Sequence, residues 1–177
     1  MVGLISAGNT SALPQVGRSL IKETFLPHPM IYVARFCGVD DASTSAAIRQ
    51  AMIVLDKQLE SCGEAPEDLV LVYRNRLAGA VKLEIGYTVS SRVARRVSGE
   101  VEAGHTPAGL MASFPTTEGF NSVLDAEEHL RLASQQREAF FSWQMFDASR
   151  SRPWRFHLPA RLMAPLDAPA RSSTGGG

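Results

Sequence analysis

The sequence predicts an α+β fold built on a duplicated strand-helix-strand-strand unit, and three observations carry that prediction. An apolar strand that leads into a helix and then into a strand pair occurs twice along the chain. Helices and strands mix without the strict alternation of a parallel doubly wound sheet. Between two units of this kind, sharing one sheet, lies a cleft of the sort where small ligands bind.

The first copy starts with the strand Met30–Phe36 (MIYVARF). The helix near Ser43–Cys62 follows, with Ile48, Met52, Leu55 and Leu59 in a stripe of helical period. Asp41 or Ser43 can cap its start, and Gly63 suits the left-handed residue after its end. Next come the strands Leu69–Tyr73 (LVLVY) and Val81–Val89 (VKLEIGYTV). In the latter, Val81, Leu83, Ile85, Tyr87 and Val89 share one face, while Lys82, Glu84, Gly86 and Thr88 share the other. A Ser/Arg/Val/Gly connection, Val89–Glu102, leads through a further short strand to the second copy. That copy comprises Ala108–Phe114 (AGLMASF), a helix near Thr117–Gln136, Phe140–Phe146 (FFSWQMF) and Trp154–Leu158 (WRFHL). Its helix has a less regular stripe, Phe120, Val123, Leu124 and Leu130, with Glu127 and Glu128 in the middle, so a wide wet face is expected.

Composition narrows the function classes. The 177 residues are enough for one ordinary domain with a real core. Lys plus Arg and Asp plus Glu are 18 each, so net charge gives no pull toward nucleic acid or an anionic membrane. Arg92–Arg96 (RVARR) is the densest basic stretch, and no aromatic interleaves it; it reads as a solvated loop. No run approaches the roughly 18 apolar residues of a membrane span, and the first residues have no basic n-region. Cys37 and Cys62 make neither a disulfide framework nor a metal pattern, which fits a reducing, cytoplasmic setting. The histidines His28, His105, His129 and His157 are scattered, and no phosphate-cradling, dinucleotide or nucleophile-elbow motif is present. No metal, cofactor or catalytic residue is therefore assigned. Residues 1–18 and the Pro/Gly-rich segment 163–177 are expected to be loose.

Glu100–Phe120 (EVEAGHTPAGLMASFPTTEGF) resembles the middle of the GyrI-like, or AraC-type, effector-binding domains. Pro107–Gly109 matches their Pro-Ala-Gly turn, Leu110–Phe114 the apolar strand, and Thr117–Phe120 the start of the second helix. Ile21–Phe36 is similar to their opening pair of strands, and Ser142–Pro159 to their closing pair, so the likeness covers roughly residues 19–162, with pseudo-repeats at about 19–90 and 98–162. The resemblance implies one curved antiparallel sheet with two helices on one face and a ligand groove on the other. It also implies a sensor or a sequestering protein for a small aromatic or lipophilic molecule. Many members bind cationic aromatics through a strand glutamate, whose place Gln144 takes here, with Phe146 at an accompanying tyrosine. An amide supplies a dipole and hydrogen bonds instead of a charge, so the expectation shifts to a neutral ligand. Thr117 stands where an aromatic is usual, which shrinks one wall of the groove.

The expected ligand-binding set is Gln144, Phe146, Glu84, Tyr73, Tyr32 and Phe114. Glu84 is the strand-centre carboxylate that could replace the missing acid; otherwise it is an exposed glutamate beside Lys82 or Arg155. Strand alternation places Ser142, Gln144 and Phe146 on one face and Trp143 and Met145 on the other. Two alternatives follow from the resemblance. One is a protein-interaction regulator of the DNA gyrase inhibitor type, which the even charge supports little. The other is a small-molecule hydrolase, which would need Glu84 beside a tyrosine brought to it by the fold. Only about 18 residues precede the first strand, too few for a helix-turn-helix reader, so no direct nucleic-acid contact is expected. Heme is set aside, because His129 lies next to Glu127 and Glu128.

Overall fold

The structure, a computed structural model, describes residues 20–77, 79–117, 119–134, 141–148 and 160–166. Among them the chain forms β1 (Ile21–Phe25), β2 (Pro29–Gly38), α1 (Asp41–Cys62), β3 (Asp68–Leu77) and β4 (Ala80–Thr88). The short α2 (Ser91–Ala94) follows, then β5 (Glu102–His105), β6 (Gly109–Thr116), α3 (Phe120–Ser134), β7 (Ser142–Asp147) and β8 (Ala160–Pro165). All eight strands form one antiparallel sheet in the order β1-β6-β8-β7-β3-β4-β2-β5.

That order contains the duplication. β2-α1-β3-β4 and β6-α3-β7-β8 have the same connectivity, and their strands form two equivalent triplets that meet where β3 pairs with β7. The leading strands are exchanged: β1 pairs with β6 of the second copy, and β5 with β2 of the first. Phe25 lies opposite Gly109 and Pro29 opposite His105, four residues on in one strand and four back in the other. The Thr106 N–H donates to the His28 carbonyl across the gap (2.9 Å), and the His28 N–H donates to Thr106 Oγ1 (3.0 Å). One ladder thus runs along both leading segments, ties the two ends of the sheet together and makes it curl. This is the duplicated, curved α+β sheet that the sequence led us to expect.

α1 covers β2 and β4 and α3 covers β6 and β8, which leaves the other face of the sheet without a helix among the described residues. Ile48, Met52, Leu55 and Leu59 of α1 are buried against the sheet as their spacing predicts. The cap lies one residue before Asp41 and three before Ser43, the two expected: Asp40 is extended and accepts the Ser43 N–H at 2.8 Å. It ends at Gly63, whose φ of 66° lets the chain turn back, with the Glu64 N–H donating to the Leu59 carbonyl. Two expectations concern the C-terminal end. The strand expected at Trp154–Leu158 lies outside the described residues, and the strand that pairs with β6 and β7 is Ala160–Pro165. Met163, Ala164 and Pro165 therefore belong to the sheet, although they fall in the segment expected to be loose. Small alanines carry half of that alternation, so its apolar signal in the sequence is faint. Residues 1–18 and 167–177 lie outside the described residues.

Candidate functional site

Alternation along each strand sorts the six expected residues between two faces of the sheet. β3 sends Leu69, Leu71 and Tyr73 toward the helices, and β7 pairs in register with it, Leu69 opposite Phe146 and Leu71 opposite Gln144. Gln144 and Phe146 therefore lie on the helix-covered face. Gln144 is 3 % exposed, and both ends of its amide are hydrogen-bonded. Its Oε1 accepts the Tyr73 hydroxyl at 2.8 Å, and its Nε2 donates to Thr116 Oγ1 at 3.1 Å. Tyr73 packs on Phe120 of α3, and Phe114 stacks on His129 with ring centroids 4.5 Å apart. Gln144, Phe146, Tyr73 and Phe114 thus form part of the packed layer between sheet and helices. Glu127 lies in the same layer, contrary to the wet face expected of its helix. It is buried, and it accepts the hydroxyl of Ser142.

Glu84 and Tyr32 lie on the opposite, helix-free face. There the cross-strand partners line up as Ser113, Met163, Trp143, Val72, Glu84 and Ala34 in one row over six strands. The row beside it holds Met145, Val70, Gly86, Tyr32 and Glu102. Met30, Val70, Val72, Met111, Trp143 and Met163 are buried, and Phe25, Tyr32 and Phe141 pack against them. Phe25 meets the Trp143 indole edge-on, centroids 5.1 Å apart. At the margins Phe36, 70 % exposed, and Met145, 38 % exposed, carry the apolar face out to solvent. A sheet face without a helix that nonetheless buries a tryptophan is unusual, since antiparallel sheets commonly present a polar, wet second face. LVLVY carried the signal: a continuous apolar run in a strand implies that both of its faces are buried.

Trp143 is the centre of this face. It is 1 % exposed, and its Nε1 is the one buried side-chain polar atom among the described residues without a hydrogen-bond partner. Burying an indole removes on the order of 200 Å² from water, which stabilises by about 5 kcal/mol as an upper estimate. A buried donor left unsatisfied costs about 1–3 kcal/mol. Packing wins, and the orphaned N–H persists.

Polar groups frame the apolar surface. Glu84, two strand spacings from Trp143 in the same row (roughly 10 Å), is 9 % exposed. Arg74 Nε lies 2.7 Å from its Oε1 and Lys82 Nζ 3.8 Å from the same atom. The Arg74 guanidinium also sits over the Phe141 ring, 5.0 Å from its centroid. Tyr32 is diagonal to Glu84 across the β2–β4 ladder, and its hydroxyl donates to Glu102 Oε2 at 2.8 Å. Burial pushes the Tyr32 phenol up to about 12, with the Glu102 carboxylate and then Glu84 adding to the effect. Two open depressions elsewhere, of about 330 Å³ beside Arg95 and His105 and about 440 Å³ beside Lys57 and Glu100, are lined by no tryptophan, tyrosine or phenylalanine. Among the described residues no cluster of His, Cys, Asp and Glu could hold a metal ion, and no helix is long and apolar enough to cross a membrane.

No protein-family model matches the chain, and no curated protein matches it. Solved structures do. An uncharacterized conserved protein from Listeria innocua is similar over 84 % of this chain and 92 % of its own, with a TM-score of 0.50 at 9 % identity. A hydrolase from Listeria innocua is similar over 84 % of this chain and 91 % of its own, with a TM-score of 0.50 at 10 % identity. At such identities the likeness shows the fold alone.

Proposed function

We propose that this chain is a small-molecule-binding module of the effector-binding type. It holds an aromatic or lipophilic ligand on the helix-free face, across the junction of its two repeats, and acts as a sensor or sequestering protein. One observation carries the reading: an aromatic and methionine-rich layer, framed by Glu84, Arg74 and Tyr32, lines the side of the curled sheet that no helix among the described residues covers. Flat apolar molecules are held by such surfaces, and methionines adapt to their shape. The test is a thermal-shift screen with neutral, cationic and anionic aromatic compounds. A ligand at about 100 times its dissociation constant adds about 2.7 kcal/mol, which a melting curve resolves. Met145→Lys, at the exposed margin of the face, should shrink the shift; Glu128→Lys, exposed on α3, should leave it unchanged. Flat curves across a broad panel would end the small-molecule reading.

A hydrolytic reading ranks second. It draws on the same face, where the fold brings Tyr32 to the diagonal neighbour of Glu84. Against it, the Tyr32 hydroxyl is committed to Glu102, and a phenol raised to about 12 is a weak proton donor.

A further inference from the structure

The indole N–H of Trp143 is a feature that simple apolar binding leaves unexplained. A buried donor with no acceptor is a standing cost, and any acceptor delivered to it removes that cost. A plain hydrocarbon leaves it in place. The cluster of Glu84 with Arg74 at 2.7 Å and Lys82 at 3.8 Å stands two strand spacings from the indole, roughly 10 Å away. A charged ligand seated at the indole would give up hydration inside an apolar layer, whereas a neutral one would not. Against the indole lies Phe25, whose ring meets it edge-on. Phe25 is the only residue of β1 that is not exposed, and among the described residues β1 pairs with β6 alone.

We propose that Trp143 Nε1 is the specificity-determining donor of the site. Its ligand is a neutral aromatic molecule with a carbonyl-type acceptor beside the ring, and that ring takes the place now held by Phe25. The proposal rests on the helix-free face being the ligand site.

The experiment compares acetophenone with ethylbenzene, which match in ring and size and differ in the carbonyl. Binding is followed on the full chain by thermal shift and by the ¹H–¹⁵N indole cross-peaks. The chain has two tryptophans, so Trp154→Phe identifies the Trp143 signal. Acetophenone should bind about tenfold more tightly than ethylbenzene, equivalent to about 1.4 kcal/mol, and should move the Trp143 indole proton downfield. In Trp143→Phe, which keeps a ring and loses the donor, that preference should vanish. Should this variant fail to fold, the cross-peak in the parent protein decides. If both compounds bind equally and the indole proton stays put, the donor role is wrong while the lipophilic site stands. If neither compound binds, nor any member of the wider panel, site and donor role fall together.

Discussion

Trp143 and Gln144 are neighbours in the chain, yet one faces an apolar surface without a helix and the other a hydrogen-bonded core. Gln144 sits between the Tyr73 hydroxyl and Thr116 Oγ1, one accepted and one donated bond, and neither leads to solvent. Gln144→Glu consequently tests stability rather than ligand charge. The new carboxyl would be buried, which raises its folded pKa above the unfolded value of about 4.3. Ionisation is then the costly state. The penalty is absent below the unfolded pKa and grows as pH rises through the folded one. Urea titrations should find the variant at least about 2 kcal/mol less stable than the parent at pH 7. The gap should close toward pH 4, where a protonated carboxyl can still donate to Thr116. An unchanged stability at pH 7 would mean that Gln144 is not sealed in the core. Glu84 and Tyr32 were legible at this scale, because a polar residue between apolar ones reveals its side of a strand. Glu127 was not, since what buries it is its meeting with Ser142, fifteen positions along the chain.

The neighbouring strands β2, β4 and β3 set the spacing on which the site depends. Gly86 of β4 stands opposite Tyr32, and a Cβ there would lie 2.4 Å from the Ile31 carbonyl oxygen and 2.6 Å from Met30 Cε. The methionine could move; the backbone oxygen could not without parting β2 from β4. Gly86→Ala should cost about 2–3 kcal/mol in a denaturant melt. Gly104→Ala, whose added Cβ would meet only the Tyr32 ring at 3.2 Å, should cost well under half of that. Equal costs would show that the β2–β4 contact is looser than its register implies. Helices connect at this scale too: Asp41, in the first turn of α1, accepts the Phe120 N–H at 2.5 Å and so caps the start of α3. Helix existence, period and the Gly63 stop could be read from the chain, whereas the donation from one helix start to the other depends on their being side by side.

The whole molecule depends on exchange between its halves. Each repeat gives its leading strand to the other, β1 to β6 and β5 to β2, and the β3–β7 ladder joins them at the centre. Either half alone would expose two unpaired strand edges and half of the Trp143 layer. Fragments 1–97 and 98–177, produced separately, should show little cooperative unfolding by circular dichroism. Mixed in equal amounts, they should recover a strand-rich spectrum with a single transition. A half that melts cooperatively by itself would argue that the repeats are independent units. The candidate site straddles this junction, with Trp143 and Met163 from one repeat and Val72 and Glu84 from the other.

Periodicity and order, which are local, were enough to determine the α+β class, the duplication, the main helices and strands, and which residues of each strand share a side. They were silent on which side the helices would cover, because both faces of LVLVY are apolar, SWQMF turns its polar Ser142 and Gln144 to the side that proves to be covered, and a strand carries no label for its outer layer. Only the tertiary structure decided that. α1 and α3 dock on the face of Leu71 and Gln144, and the exchanged leading strands curl the sheet the other way, so Trp143 and not Gln144 faces the helix-free side.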